Sequence, residues 1–110
     1  ALEEGKSAIK AGVTADSVAQ TFWKVLDKYN IKKDSRTGYS IGAGFPPDWG
    51  ERTVNISKGD PTVLQTNCTL HMIAVMQMGD WGVEVSEAMR VTDDGYEAFC
   101  NFPKELVFKD

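Results

Sequence analysis

Few side chains in this 110-residue sequence are equipped for proton transfer or ligand contact, and most of them gather in its second half. His71, the single histidine, stands inside the apolar run 70–76. An imidazole in such a run needs a partner or a pocket. Two readings stand side by side: a hydrogen-bonded histidine of the core or an interface, or a pocket-lining acid/base group. Glu84 and Glu87 lie in one strand-like segment, where alternation puts them on opposite faces. Either one can face a cleft, but a solvated edge is the plainer reading, since glutamate is rarely buried unpaired. Trp49 and Trp81 share the frame Asp-Trp-Gly. Such a tryptophan either caps the core at a turn or walls a pocket for an apolar or cationic ligand. Cys68 and Cys100 sit in apolar, strand-like contexts and are expected as buried free thiols rather than a disulfide.

Several chemistries are excluded by pattern. There is no P-loop, no Rossmann glycine motif, no His/Cys metal spacing and no nucleophile elbow. The glycines of 38–44 follow a polar connector rather than a strand, so they read as close backbone approach inside a sheet. Twelve Lys+Arg against 16 Asp+Glu leave a net charge of −4, which excludes a basic nucleic-acid binder. No apolar run approaches the roughly 18–20 residues of a membrane span. Nothing at the start of the chain has the pattern of a signal peptide, so a cytoplasmic setting is expected.

The elements that must position these residues change period along the chain. Residues 1–11 read as the tail of a helix closed by Gly12. Residue 1 is Ala in text that is already helix-like, which fits either removal of an initiator Met or a piece of something longer. Thr14 is expected as an N-cap, with Asp16 in the first turn. Val18, Phe22, Val25, Leu26 and Tyr29 then mark one face of a four-turn helix. After a polar connector, 39–45 reads as a short glycine-punctuated strand or loop, 46–50 as a rigid turn, and 53–56 and 70–76 as strands. A further segment runs over 81–87 and continues or restarts at 89–92. Asp93-Asp94-Gly95 is a hairpin turn, 96–100 the return strand, and 106–108 closes the chain. Helices first and an antiparallel sheet after them make an α+β fold, expected as one domain over 1–110.

The sequence also resembles a known family. Gly38-Tyr39-Ser40-Ile41-Gly42, Phe45-Pro46-Pro47-Asp48-Trp49-Gly50-Glu51-Arg52-Thr53 and Thr69-Leu70-His71 are similar to the C-terminal half of the pita-bread hydrolases. Asp80-Trp81-Gly82-Val83-Glu84-Val85-Ser86-Glu87, Arg90-Val91-Thr92 and Phe102-Pro103-Lys104-Glu105-Leu106 extend the match over nearly the whole chain. That superfamily contains creatinase, prolidase, aminopeptidase P and methionine aminopeptidase. The pattern points to its Xaa-Pro peptidase-like and ectoine hydrolase branch. The resemblance implies half of a pita-bread fold.

It also implies where metal ligands would lie. The peptidases of this superfamily bind two metal ions through two aspartates, a histidine and two glutamates. The aspartates belong to a stretch that would precede residue 1. The histidine's place is Tyr39, the first glutamate's is Ile73 with Ala74 for the following proline, and the second glutamate's is Ser86. Such a set supplies divalent cations poorly, so no metal and no cofactor are expected. The creatinase-like and ectoine hydrolase-like members imply a different use: a pocket lined by Tyr39, Trp49, His71, Trp81, Glu84 and Ser86 for a small zwitterion or cyclic amide. Water attack on a C–N bond with proton transfer would be its chemistry. The expected function is a family domain without metal ligands, not catalytic alone, or part of such a hydrolase. Apolar residues in 72–78 and 99–108 exceed what one helix covers. A homodimer, or an N-terminal half absent from this chain, is therefore the expected partner, with a small molecule as the expected ligand and neither nucleic acid nor membrane.

Overall fold

The computed structural model describes residues 1–44 and 50–109. Helices α1 (Leu2–Ser7) and α2 (Ala15–Lys28) precede five strands: β1 (Gly38–Ile41), β2 (Gly50–Ile56), β3 (Thr69–Gln77), β4 (Gly82–Val91) and β5 (Tyr96–Ala98). The strands form one antiparallel sheet in the order β2-β1-β3-β4-β5. This is the expected α+β arrangement. Of the rigid turn expected at 46–50, residues 46–49 lie outside the described residues, and Gly50 opens β2.

Helix α2 follows its sequence closely. Thr14 accepts a hydrogen bond from the Ser17 amide at 3.2 Å, satisfying one of the donors a helix start leaves open. Val18, Phe22 and Leu26 are buried on the sheet side, flanked by Ala15, Ala19 and Trp23. Tyr29, expected on this apolar face, is instead the C-cap and 64% exposed, because the helix stops before its stripe returns to the core.

Helix α1 is shorter than the sequence suggests. It ends at Ser7 rather than running to Gly12. Ile9 turns into the core, and the amides of Ala11 and Gly12 donate to the carbonyls of Thr92 and Leu64. These distant partners pull the backbone out of the helix, and Gly12 takes up the turn at φ 85°.

The β3–β4 ladder runs without a break from Thr69↔Arg90 to Gln77↔Gly82. The two segments expected at 81–87 and 89–92 are therefore one strand. Alternation gives the sheet two unlike faces. Leu70, Met72 and Ala74 on β3, and Met89 and Val91 on β4, pack under the helices with Val54 and Ile56 of β2. On the other face His71 is paired with Ala88, Ile73 with Ser86, and Val75 with Glu84. No helix covers that face among the described residues.

Two glycines bear out the expectation of close approach. A Cβ at Gly38 would stand 2.8 Å from Met72 Sδ and 3.0 Å from the His71 carbonyl oxygen. One at Gly42 would overlap the Glu51 side chain.

The end of the chain departs from expectation. The return strand stops at Ala98, where the Phe99 amide still donates to Ala88 O. The chain then leaves the sheet, so Cys100 is exposed rather than buried, and Cys68 is half-buried. Both thiols are free. Residues 106–108 form no strand and are exposed. Among the described residues, no helix is long and apolar enough to cross a membrane.

Candidate functional site

The uncovered face of the sheet places four of the six singled-out residues close together. Tyr39 and His71 are directly opposed across β1 and β3, and a register position opposes Ile73 to Ser86. The three positions that the resemblance assigns to metal ligands, Tyr39, Ile73 and Ser86, thus share one face of three adjacent strands. Glu84 lies on the same face, one pleat further along β4.

Tyr39 Oη and His71 Nδ1 are 3.1 Å apart, with the rings in edge contact at 81°. Tyr39 is itself buried and Arg36 lies over its ring, with the guanidinium carbon 4.4 Å from the centroid. Arg36 also donates to Asn55 Oδ1 at 2.5 Å. The phenol is therefore held from both sides and fixes the imidazole. A phenol both donates and accepts, so the bond survives whichever nitrogen of His71 carries the proton. Nε2 has no hydrogen-bond partner among the described residues.

A cavity of about 350 Å³ opens over this imidazole. His71, Glu84, Ser86 and Ala88 of the sheet line it together with Cys100 and Phe102 of the C-terminal segment. Burial pushes the His71 imidazole below its ordinary value, and the negative charge of Glu84 opposes that shift only in part. The ring is thus neutral at neutral pH, the form able to accept a proton.

Trp81 does not join this group. It is 60% exposed in the turn between β3 and β4, where its carbonyl accepts from the Met78 amide at 2.8 Å. Gly82 next to it is six residues along the strand from Ala88, about 20 Å at the rise of a β-strand. An Asp-Trp-Gly turn carries its tryptophan to the hairpin tip, away from the middle of the sheet. Trp49 lies outside the described residues.

Glu87 is not on the solvated edge of the plainer reading; it is among the residues lining the cavity. It is buried on the helix face, where Lys6 Nζ reaches Oε2 at 2.5 Å and Lys104 Nζ reaches Oε1 at 2.6 Å. Lys6 also pairs with Glu3 at 2.7 Å. Burial pushes the Glu87 carboxyl up, but the hydrogen bonds and charges of Lys104 and Lys6 outweigh it and hold the group below its ordinary value. Sequence reasoning had no route to this cluster, because its members stand 81 and 17 residues apart. The one usable signal was a glutamate facing the apolar side of an alternating strand.

Among the described residues, no group of three or more His, Cys, Asp or Glu is placed to hold a metal ion. His71, Tyr39, Ser86 and Glu84 offer one imidazole, one phenol, one alcohol and one carboxylate on the uncovered face, with a hydrocarbon at Ile73.

Comparison with known proteins agrees with this architecture. Ectoine hydrolase of Halomonas elongata is 35% identical over 109 residues, spanning 98% of this chain and 27% of the relative. An uncharacterized hydrolase/peptidase of Sinorhizobium fredii, y4tM, is 34% identical over 110 residues, spanning 28% of its length. The chain therefore spans a little over a quarter of these curated relatives. Among solved structures, dipeptidase PepE from Mycobacterium ulcerans superposes with a TM-score of 0.85 at 25% identity, covering 96% of this chain and 28% of that one. The prolidase from Pyrococcus horikoshii OT3 gives 0.85 at 17% identity, with 96% and 30% covered, which shows the shared pita-bread fold. The model of metallopeptidase family M24 matches residues 1–93. The chain belongs to metallopeptidase family M24.

Proposed function

We propose that the uncovered face of this sheet is one wall of a metal-independent C–N hydrolase site in which His71 moves the proton. The chain is the second half of a pita-bread catalytic unit and does not turn over substrate by itself. The observation that carries this reading is the Tyr39–His71 pair, with His71, Glu84 and Ser86 lining one cavity and Tyr39 and Ser86 at positions the resemblance assigns to metal ligands. A phenol bound to an imidazole, a hydrocarbon and an alcohol do not fit a pair of divalent ions, which favour carboxylate oxygens and imidazoles. The same residues suit proton transfer. A neutral imidazole with one nitrogen held and the other free is oriented as a general base.

Water attacks the carbon of a C–N bond, and its proton passes to His71 Nε2. The new C–O bond replaces the C–N bond, and the imidazolium returns the proton to the departing nitrogen. Nδ1 carries its proton throughout and donates it to Tyr39 Oη, which leaves Nε2 as the basic nitrogen. The substrate is a small zwitterion or cyclic amide, in keeping with a cavity of about 350 Å³ and with the ectoine hydrolase relative. The remaining groups come from a partner half or a second copy. Two unpaired thiols support a cytoplasmic setting.

The test uses the natural gene product with ectoine as the probe. Hydrolysis is expected to persist after exhaustive chelation and to fall by about 10²–10⁴-fold in His71→Ala. Activity lost on chelation, restored by manganese or cobalt and retained in His71→Ala would overturn the reading.

A further inference from the structure

The outer edge of β4 poses a problem that the C-terminal segment solves. Strand β5 pairs only with Met89–Val91 of β4. Among the described residues, 82–88 therefore have no strand on their outer side, and an open edge of this kind invites unwanted pairing. The segment after β5 passes along that edge. Its contacts lie on both faces of the sheet: Lys104 lines the cavity over His71 and also a second cavity of about 250 Å³ beside Leu2 and Val85 under the helices. Lys104 thus wraps the edge and reaches Glu87 from outside.

Glu87 is prepared for this contact from within. Its side chain is only 5% exposed, and that of Lys6 only 4%. Lys6 binds one carboxylate oxygen, Oε2, and Lys104 binds the other, Oε1. Lys104 is the only member of the trio with substantial exposure, at 25%. It is also the only one on the segment that brings Cys100, Phe102 and Pro103 to the His71 cavity. Beyond the Phe99 amide, no backbone hydrogen bond between the described residues ties 100–105 to the sheet. The ionic contact is the tie that remains.

We infer that Lys6, Glu87 and Lys104 form a clamp that holds residues 100–105 as the outer wall of the His71 cavity, with Lys104 as its positioning residue. This rests on reading that cavity as the site, but the clamp is tested without any substrate. The clamp sets how closely Phe102 and Cys100 approach His71, and so how much room a small ligand finds.

The experiment is ¹⁵N relaxation on the wild type, Lys104→Met and Lys104→Arg. The wild type is expected to show heteronuclear NOE values at residues 100, 102, 104 and 105 close to those of β4. Lys104→Met is expected to lose that order over 100–105 with β4 unchanged, and to shift the ring signal of the single histidine at constant pH. Lys104→Arg is expected to restore both. A wild-type segment as mobile as a free chain end would overturn the clamp without recourse to any variant. So would unchanged order in Lys104→Met, or failure of Lys104→Arg to restore it. Lost order with an unmoved His71 signal would overturn the assignment of the segment as a wall of this cavity. None of these outcomes depends on hydrolysis, so failure of the clamp and failure of the catalytic reading are told apart.

Discussion

Buried charge decides most at the residue scale. The Lys6–Glu87 pair is nearly inaccessible, so removing the Glu87 carboxylate leaves the buried ammonium with only the exposed Glu3 carboxylate among its ion-pair partners in the described residues. Glu87→Ala is expected to cost about 3–5 kcal/mol in urea unfolding, the range for breaking a buried pair from one side. Tyr39→Phe removes only the hydroxyl on His71 and is expected to cost about 1 kcal/mol by the same measurement. Acid acts on both sites in the same direction. His71 and Glu87 are held below their ordinary values of 6.5 and 4.5 in the fold, so the unfolded chain binds protons first. Their contributions are complete above those ordinary values and are lost as pH falls through the lower folded ones. Stability measured by denaturation from pH 7 downward is expected to decline below pH 6.5 and further below 4.5. A flat profile through both intervals would contradict this assignment.

Patterns with a local cause were readable at the scale of elements. The cap at Thr14, the α2 stripe from Val18 to Leu26 and the hairpin turn after Thr92 each depend on neighbours within about four residues. The opposition of Glu84 and Glu87 followed from alternation alone, and the resemblance put Tyr39, Ile73 and Ser86 on what proved to be one face. What stayed hidden depends on distant partners. The amides of Ala11 and Gly12 end α1 early by reaching Thr92 and Leu64. Lys6 and Lys104 draw Glu87 into a cluster that no local pattern describes. Cys100 read as buried because its apolar neighbours continue a strand pattern that the backbone abandons at Ala98. The β1–β3 contact gives this scale its own prediction. Gly38→Val would drive a branched side chain against Met72 Sδ and the His71 carbonyl. It is expected to cost about 1–3 kcal/mol by overpacking and to disturb the Tyr39–His71 bond, visible as a shift of the His71 ring signal. An unchanged melting temperature and an unmoved signal would show that β1 does not seat against β3 this way.

The described residues form a two-layer structure in which no helix covers one face of the sheet. Helices cover one side of the sheet; the other side presents His71, Ile73, Val75, Glu84 and Ser86. Phe102, Leu106, Val107 and Phe108 are 72–86% exposed beyond it. Apolar surface of this kind favours association. Light scattering over a concentration series is expected to give the mass of a dimer, and a monomer at micromolar concentration would contradict that expectation. The more consequential property of the open face is its chemistry, which suits proton transfer and not a pair of divalent ions. Metal content tests that most directly. The natural gene product would be dialysed against manganese, cobalt and zinc in turn, and the retained metal counted per chain while the His71 ring signal is followed. The predicted result is no pair of retained ions and an unmoved His71 signal. Two ions held per chain, with the His71 signal displaced as they bind, would contradict the account.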